Sequence, residues 1–394
     1  MYDVLVVGGG PIGSHVAYKL AGMGYGVVVL ERKEKLGEQV CCTGIISQEC
    51  VDSFAIDNNV ILRQVNSARL FPPSGRLLRL WRQETQACIV DRAAFDVAVA
   101  NRAQDKGAEY ILNSLVRDIE RKDDTVNVEA IRLGETLNFE ARAVVVATGF
   151  GSKLTKRLGL GKSRDFVMGA QAEVVTNGVD EVEVFFGQET APGFFAWLVP
   201  TSPQRALVGL LSRRSPELYL KKFMSALLAE KKMASTEAEL SYGGIPLKPL
   251  AKTYSQRLIV VGDAAGQVKP TTGGGLYYGL LCADIAANTL NRALQNDDLS
   301  AKGLASYERQ WRRKLRQELK TGYYARKFYE RLSDKHINRI FDIIISNGIH
   351  DTLLKAEELS FDWQGKAVLR LMGHRAISKA LEMMKIPFHL GEGR

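Results

Sequence analysis

Apolar and polar positions along the chain fall into two recurring patterns. Short, β-branched runs read as buried strands, and longer stretches with helical spacing follow several of them. Residues 3–7 (DVLVV) are the first such run, followed by GGGPIG, a helical pattern to about Met23 and a second strand over residues 26–30. Residues 141–149 (ARAVVVATG) and 257–263 (RLIVVGD) are two more runs that predict strands returning to the same parallel sheet. In CIVDRAAFD, residues 88–96, a strand leads into a helix at Arg92. Residues 68–81 read as a hairpin around Pro-Pro-Ser-Gly. Residues 167–175, 181–186, 194–199 and 205–211 read as antiparallel strands, and 216 to about 235 as a lysine-bearing helix. From Ala301 the pattern is helical to the end of the chain.

The first strand–turn–helix–strand unit carries chemistry. Gly8, Gly10 and Gly13 fit GxGxxG, and Glu31 ends the second strand. The first glycine allows a tight turn, the second lets a pyrophosphate approach, and the third lets helix pack on strand. The helix N-terminus offers free N–H groups to phosphate, and Glu31 is placed for a ribose diol. This is a dinucleotide site, for NAD or FAD. Residues 262–278 (GDAAGQVKPTTGGGLYY) decide for FAD. Asp263 can accept hydrogen bonds from a ribityl chain, which NAD lacks. A helix beginning near Gly275 aims its positive end at the pyrimidine edge of a flavin. Arg92 is placed to meet a phosphate or the flavin; a surface salt bridge is the alternative.

The predicted architecture is therefore α/β. A discontinuous Rossmann-type FAD domain takes residues 1–66, 83–165 and 245–300, an antiparallel β-sheet substrate domain takes 67–82 and 166–244, and a helical region takes 301–394.

Composition narrows the picture. The chain has 394 residues, 46% apolar and 25% charged, which suits a globular protein with a large core. Its five cysteines (Cys41, Cys42, Cys50, Cys88, Cys282) imply neither a disulfide framework nor a four-cysteine metal site, and the five histidines have no ligand spacing. No metal is expected. The first residues run straight into a strand, and no apolar run is long enough to span a bilayer. A cytoplasmic location is expected, with peripheral membrane contact open. Much of the net charge of +9 lies after residue 301, where Arg309, Arg312, Arg313, Lys314, Arg316, Lys320, Arg326, Lys327, Arg331 and Lys335 interleave with Trp311, Tyr323, Tyr324, Phe328 and Tyr329. That composition suits a helix on an anionic lipid surface, or equally a helical cap with a solvated basic face. No nucleic-acid module is recognisable.

Taken together, GGGPIG, Glu31, DRAAFD, ATG and GDAAGQVKPTTGGG resemble the FAD-dependent oxidoreductases of the para-hydroxybenzoate hydroxylase fold. Within that group the sequence most resembles the geranylgeranyl reductase family. That family carries a cysteine in the loop after the ribose-binding acid, which Cys42 matches. It also carries Pro-x-x-Tyr-x-Trp-x-Phe-Pro, which PGFFAWLVP keeps at Pro192, Trp197 and Pro200, with Phe195 for the tyrosine and Val199 for the phenylalanine. The resemblance implies cofactor contacts from Pro11, Ile12, Arg32, Cys42, Thr43, Gly44, Val116, Ala147, Gly149, Gly262, Gly274 and Leu276, besides the residues named above. It implies reduction of isolated double bonds in a polyprenyl chain by reduced FAD. Cys42 would stand near the flavin, as proton donor or as packing, and Phe195 and Trp197 share one face of a strand as an apolar substrate wall or as core. The electron donor stays open among NADPH, a ferredoxin-like carrier docking on the basic surface and a deazaflavin. The rivals are a flavin monooxygenase or halogenase of the same fold, and a non-enzymatic flavin-binding redox sensor or assembly factor.

Overall fold

The structure, a computed structural model, describes residues 1–355 and 360–383. The expected helical course of the chain end therefore lies outside the described residues from 384 onward. The α/β prediction holds. Tyr2–Val7, Val27–Leu30 and Glu135–Val146 pair in parallel, with Glu109–Ile111 beyond Val27–Leu30 and Leu258–Val260 beyond Glu135–Val146. All four residues of Val27–Leu30 are buried, as a strand covered on both faces requires. On one side the helices Pro11–Gly22, Arg92–Asp105, Leu276–Gln295 and Ala301–Tyr329 close a single apolar cluster.

A second sheet of seven strands carries the middle of the chain, in the order Ser241–Pro246, Phe166–Val175, Arg205–Ser212, Phe195–Ser202, Val182–Phe186, Ser67–Phe71, Leu78–Trp81. Its pairs are antiparallel except one. Val182–Phe186 runs parallel to Ser67–Phe71, because the chain leaves this sheet after the hairpin and returns only after building the parallel one. The helix Pro216–Ala229 covers one face through Leu220, Phe223, Met224 and Leu227, packed on Ala170, Ala196, Leu198 and Val208. A small sheet of Ile45–Ser47, Ala87–Val90 and Ile61–Val65 lies against the other face, through Ile45 and Ile89 on Val182 and Val199.

Some details differ from the pattern-based expectation. Residues 257–263 form a strand only over Leu258–Val260, since Gly262 adopts φ +66° and turns the chain into a short 3-10 helix, Gly262–Ala265. The helix expected to about 235 stops at Ala229, and Lys231 takes φ +59°. Strands Ser114–Arg121 and Val126–Arg132 form an antiparallel extension that the apolar pattern did not announce; Arg117, Asp118, Glu120, Arg121 and Glu129 are exposed on it.

The basic helix is a cap on the parallel sheet. In Ala301–Tyr329, Leu304, Tyr307, Trp311, Leu315, Leu319, Gly322 and Arg326 repeat every three or four residues and are buried. The Trp311 Nε1–H donates to Thr253 Oγ1 at 3.0 Å and the Tyr307 hydroxyl to the Val260 carbonyl at 2.8 Å. Tyr307 and Trp311 thus face protein, as the helical-cap alternative expects, while Tyr324 stays exposed. No helix among the described residues is long and apolar enough to cross a membrane.

Candidate active site

The glycine turn after the first strand shows why each glycine is needed. Gly8 has φ +109°, and a Cβ there would sit 2.4 Å from the Ala147 carbonyl oxygen. A Cβ at Gly13 would sit 2.0 Å from the Gly8 carbonyl oxygen. Gly10, by contrast, has no heavy atom within 4 Å of the position its Cβ would take. Two glycines close the backbone and the middle one opens onto free space. Pro11 occupies the first turn of the helix, where a missing N–H costs nothing. Ile12 reaches across to Gly262 and Gly279, tying this helix to Leu276–Gln295. The buried Glu31 carboxylate accepts from Gly9 N–H at 2.7 Å and from Lys33 N–H at 2.9 Å, which fixes it beside the turn. Arg32 points to solvent. Val116 is buried in the apolar cluster that includes Val7 and Leu30. Ala147 and Gly149 follow the neighbouring strand, which ends at Val146, with Gly149 at φ +68°.

Cys42, Thr43 and Gly44 cross between this turn and the seven-stranded sheet. Gly44 takes φ +74°, and a Cβ there would meet the Val90 carbonyl at 2.3 Å. Gln171, on the seven-stranded sheet, holds the loop: Thr43 Oγ1 donates to Gln171 Oε1 at 3.1 Å and Gln171 Nε2 donates to the Cys42 carbonyl at 3.4 Å. The Arg92 guanidinium pairs with Asp96 at 2.7 Å. Burial lowers its proton affinity, but the adjacent Cys42 sulfur and the Asp96 carboxylate outweigh this and raise it. Asp263 lies near the same cation: burial pushes its carboxyl up to about 6 while Arg92 pulls it down. Gly275 starts the long helix beside it, and a Cβ there would fall 2.6 Å from Asp263 Oδ1. Gly274 leaves equal room for Lys269, whose Cε would be 2.7 Å from a Cβ. Leu276 opens the helix. The structure thus assembles Cys42, Arg92 and Asp263 with the Gly274–Gly275 turn from three distant stretches of chain. Cys41 turns instead toward Gly243, and burial raises its thiol.

Phe195 and Trp197 leave the side of the sheet that carries Ala196 and Leu198; Trp197 joins the apolar cluster of Ile45, Ile89 and Val199 at the small sheet, and Phe195 joins that of Val167 and Ile245, with its ring 6.1 Å from that of Trp197. Ile45 directly follows Gly44, so this aromatic face adjoins the Cys42 loop. Trp197 lies over Gly209, its register partner.

The sequence reading missed three participants. Gln171 stands in a strand with no motif around it. Lys269 and Asp362 form a buried ion pair at 2.6 Å beneath the glycine turn, and the Tyr278 hydroxyl donates to the Asp362 carbonyl at 2.9 Å. Tyr277 donates to Glu49 at 2.6 Å, so both tyrosines after the turn anchor neighbouring segments. Asp362 is remote in sequence, and no local signal announced it.

A dinucleotide flavin fits these residues on grounds of the structure itself. Arg92 Nε, Thr148 Oγ1 and Thr272 Oγ1 are buried atoms without a hydrogen-bond partner, and these residues lie beside Gly44, Gly8 and Gly274 respectively. Buried polar atoms are normally paired, so three orphans beside glycines of the candidate site suit a polar ligand.

Strand order and the two glycine turns define the FAD-dependent oxidoreductase fold of the para-hydroxybenzoate hydroxylase type. A family model described as lycopene cyclase protein matches residues 3–345. A digeranylgeranylglycerophospholipid reductase of Methanocaldococcus jannaschii is 32% identical over 357 residues, 87% of this chain and 90% of that one. One from Methanothrix thermoacetophila is 30% identical over 88% of this chain and 92% of its own. Among solved structures, a geranylgeranyl bacteriochlorophyll reductase-like protein from Thermoplasma acidophilum superposes with a TM-score of 0.85 at 23% identity, covering 98% of both chains. A flavin-dependent brominase superposes with a TM-score of 0.70 at 14% identity, over 98% of this chain and 99% of its own. The chain belongs to the lycopene cyclase protein family and, within the FAD-dependent oxidoreductases, stands with the geranylgeranyl reductases.

Proposed function

We propose that this protein is an FAD-dependent reductase that saturates carbon–carbon double bonds in the geranylgeranyl chains of a glycerophospholipid. The observation that carries the reading is the join of the Cys42–Arg92–Asp263 cluster to the aromatic face of Phe195 and Trp197, in a chain 32% identical to a digeranylgeranylglycerophospholipid reductase. Reduced FAD, when bound, supplies a hydride to one carbon of the double bond. The chain's own residues do the rest. Gly8, Gly10 and Gly13 shape the pyrophosphate turn, Glu31 takes the ribose diol, and Asp263 with the start of the Leu276–Gln295 helix takes the ribityl and pyrimidine side. Phe195 and Trp197 hold the alkene, which offers no carbonyl for polarisation, and exclude water. Cys42 Sγ, next to Arg92, gives the proton to the second carbon. Hydride plus proton amounts to two hydrogens per bond. Phe195 and Val199, in place of the family's tyrosine and phenylalanine, make this wall more apolar and smaller.

The test is anaerobic. Protein loaded with FAD and reduced with dithionite is incubated with digeranylgeranylglycerophospholipid, menaquinone and a geranylgeranylated chlorin. Mass spectrometry should show gains of two hydrogens per bond on the phospholipid. No saturated product on any of the three, or oxygen consumption coupled to an aromatic substrate, refutes the proposal.

A further inference from the structure

Large apolar side chains are exposed together at one edge of the seven-stranded sheet. Phe166 is 42% exposed, Met168 36%, Tyr242 51% and Leu218 52%. They are neighbours. Met168 pairs across strands with Gly244, two residues from Tyr242, and Tyr242 and Leu218 line one cleft. Phe150 fills the space over Gly244 and packs on Phe166 with ring centroids 5.4 Å apart. Clustered apolar exposure of this kind marks a contact surface.

The rim is cationic at one end. Lys162 and Arg164 lead into Phe166, and Arg214 follows Arg213, whose guanidinium donates to the Phe166 carbonyl at 2.7 Å. Lys162, Arg164 and Arg214 are exposed and have no carboxylate partner among the described residues. The nearby acids Asp165 and Glu217 are engaged, Asp165 by Arg213 at 2.6 Å and Glu217 by Lys221 at 2.6 Å. Glu237 and Glu239 lie beyond the opposite end of the edge strand.

The patch also adjoins the candidate active site. Ser241–Pro246 is the edge strand, paired among the described residues with Phe166–Val175. Gly244 faces Phe150 on the patch side, whereas a Cβ on Gly243 would meet Cys41 at 3.4 Å on the other. One strand therefore separates the exposed patch from the Cys41–Cys42 loop.

We infer that the Phe166–Met168–Tyr242–Leu218 patch, with Lys162, Arg164 and Arg214, is the surface by which this protein docks on an anionic phospholipid bilayer. Apolar side chains enter the acyl boundary and the cations meet headgroup phosphates. A second copy is the poorer occupant. A two-fold contact would set Arg164 and Arg214 against themselves, and the edge strand's Gly243, Gly244 and Pro246 suit neither packing nor strand addition. The inference rests on the proposed lipid substrate, because docking beside the Cys42 loop would shorten the path of a prenyl chain out of the bilayer.

The full chain is sedimented with vesicles of phosphatidylglycerol and of phosphatidylcholine. Binding should favour phosphatidylglycerol. Phe166→Ser with Leu218→Ser should weaken it at least about tenfold, and Arg164→Glu with Arg214→Glu about fivefold or more per cation. Leu133→Ser, at an exposed turn elsewhere, should leave binding unchanged. All variants should keep their thermal midpoint, since the patch is exposed. The inference falls if wild-type protein ignores vesicles while saturating detergent-dispersed lipid, a result that spares the proposed function. It also falls if the patch variants bind as well as wild type, or if wild type is a dimer in light scattering that these substitutions split.

Discussion

Gly209 offers a sharp test of the aromatic wall. It pairs with Trp197 across strands, and the indole lies directly on it. A Cβ added at Gly209 would fall 2.6 Å from Cζ2, 2.7 Å from Cε2 and 2.8 Å from Nε1 of that ring. Carbon–carbon contact is comfortable at about 3.5–4.0 Å, so Gly209→Ala must push a rigid bicycle by about 1 Å. Overpacking of this kind costs about 1–3 kcal/mol. The chemical effect should be larger, because a misplacement of about 1 Å can cost about a hundredfold in rate. The ring is free to be displaced rather than anchored, since Trp197 Nε1 is buried without a hydrogen-bond partner. The expected result is a drop in kcat of about a hundredfold, a modest fall in Tm and unchanged FAD affinity by fluorescence titration. Trp197→Phe in the same chain should restore much of the loss, since the smaller ring leaves room for the methyl group and gives up no hydrogen bond. Full activity in Gly209→Ala, or loss of FAD binding in step with activity, would refute the wall.

Three further outcomes follow from the same geometry. Burial holds the Asp263 carboxyl at about 6, so its contribution to stability is present below the ordinary carboxylate range and is lost as pH rises through 6. Cofactor-free Asp263→Asn should therefore melt above wild type at pH 7–8 and converge with it near pH 4, while binding FAD more weakly; a gap independent of pH would contradict the desolvation argument. Asp362→Ala strands the buried Lys269 ammonium and should cost about 3–5 kcal/mol in urea unfolding, whereas Lys269→Met with Asp362→Leu should recover most of it. Glu31→Gln keeps an acceptor for Gly9 N–H but loses the charge, and flavin fluorescence titration should show affinity down about tenfold or more with the thermal midpoint nearly unchanged.

The glycine spacing, Glu31 and the apolar runs determined the parallel sheet and its dinucleotide turn, because these are local: Gly8 and Gly13 are forced by contacts within one strand–helix unit and its neighbour. The strand parity of PGFFAWLVP likewise placed Phe195 and Trp197 on one face. The basic helix was open to two readings for a physical reason. Its composition is that of an interfacial helix, but the periodicity of Tyr307 and Trp311 faces Val260 and Thr253, which only the tertiary structure supplies. The Gln171 clamp, the Lys269–Asp362 pair and the Cys42–Arg92–Asp263 cluster were likewise decided in three dimensions. Each joins groups far apart in sequence, and a buried charge or amide becomes tolerable only when folding brings its partner. A sequence records that such a residue exists; the fold determines what satisfies it.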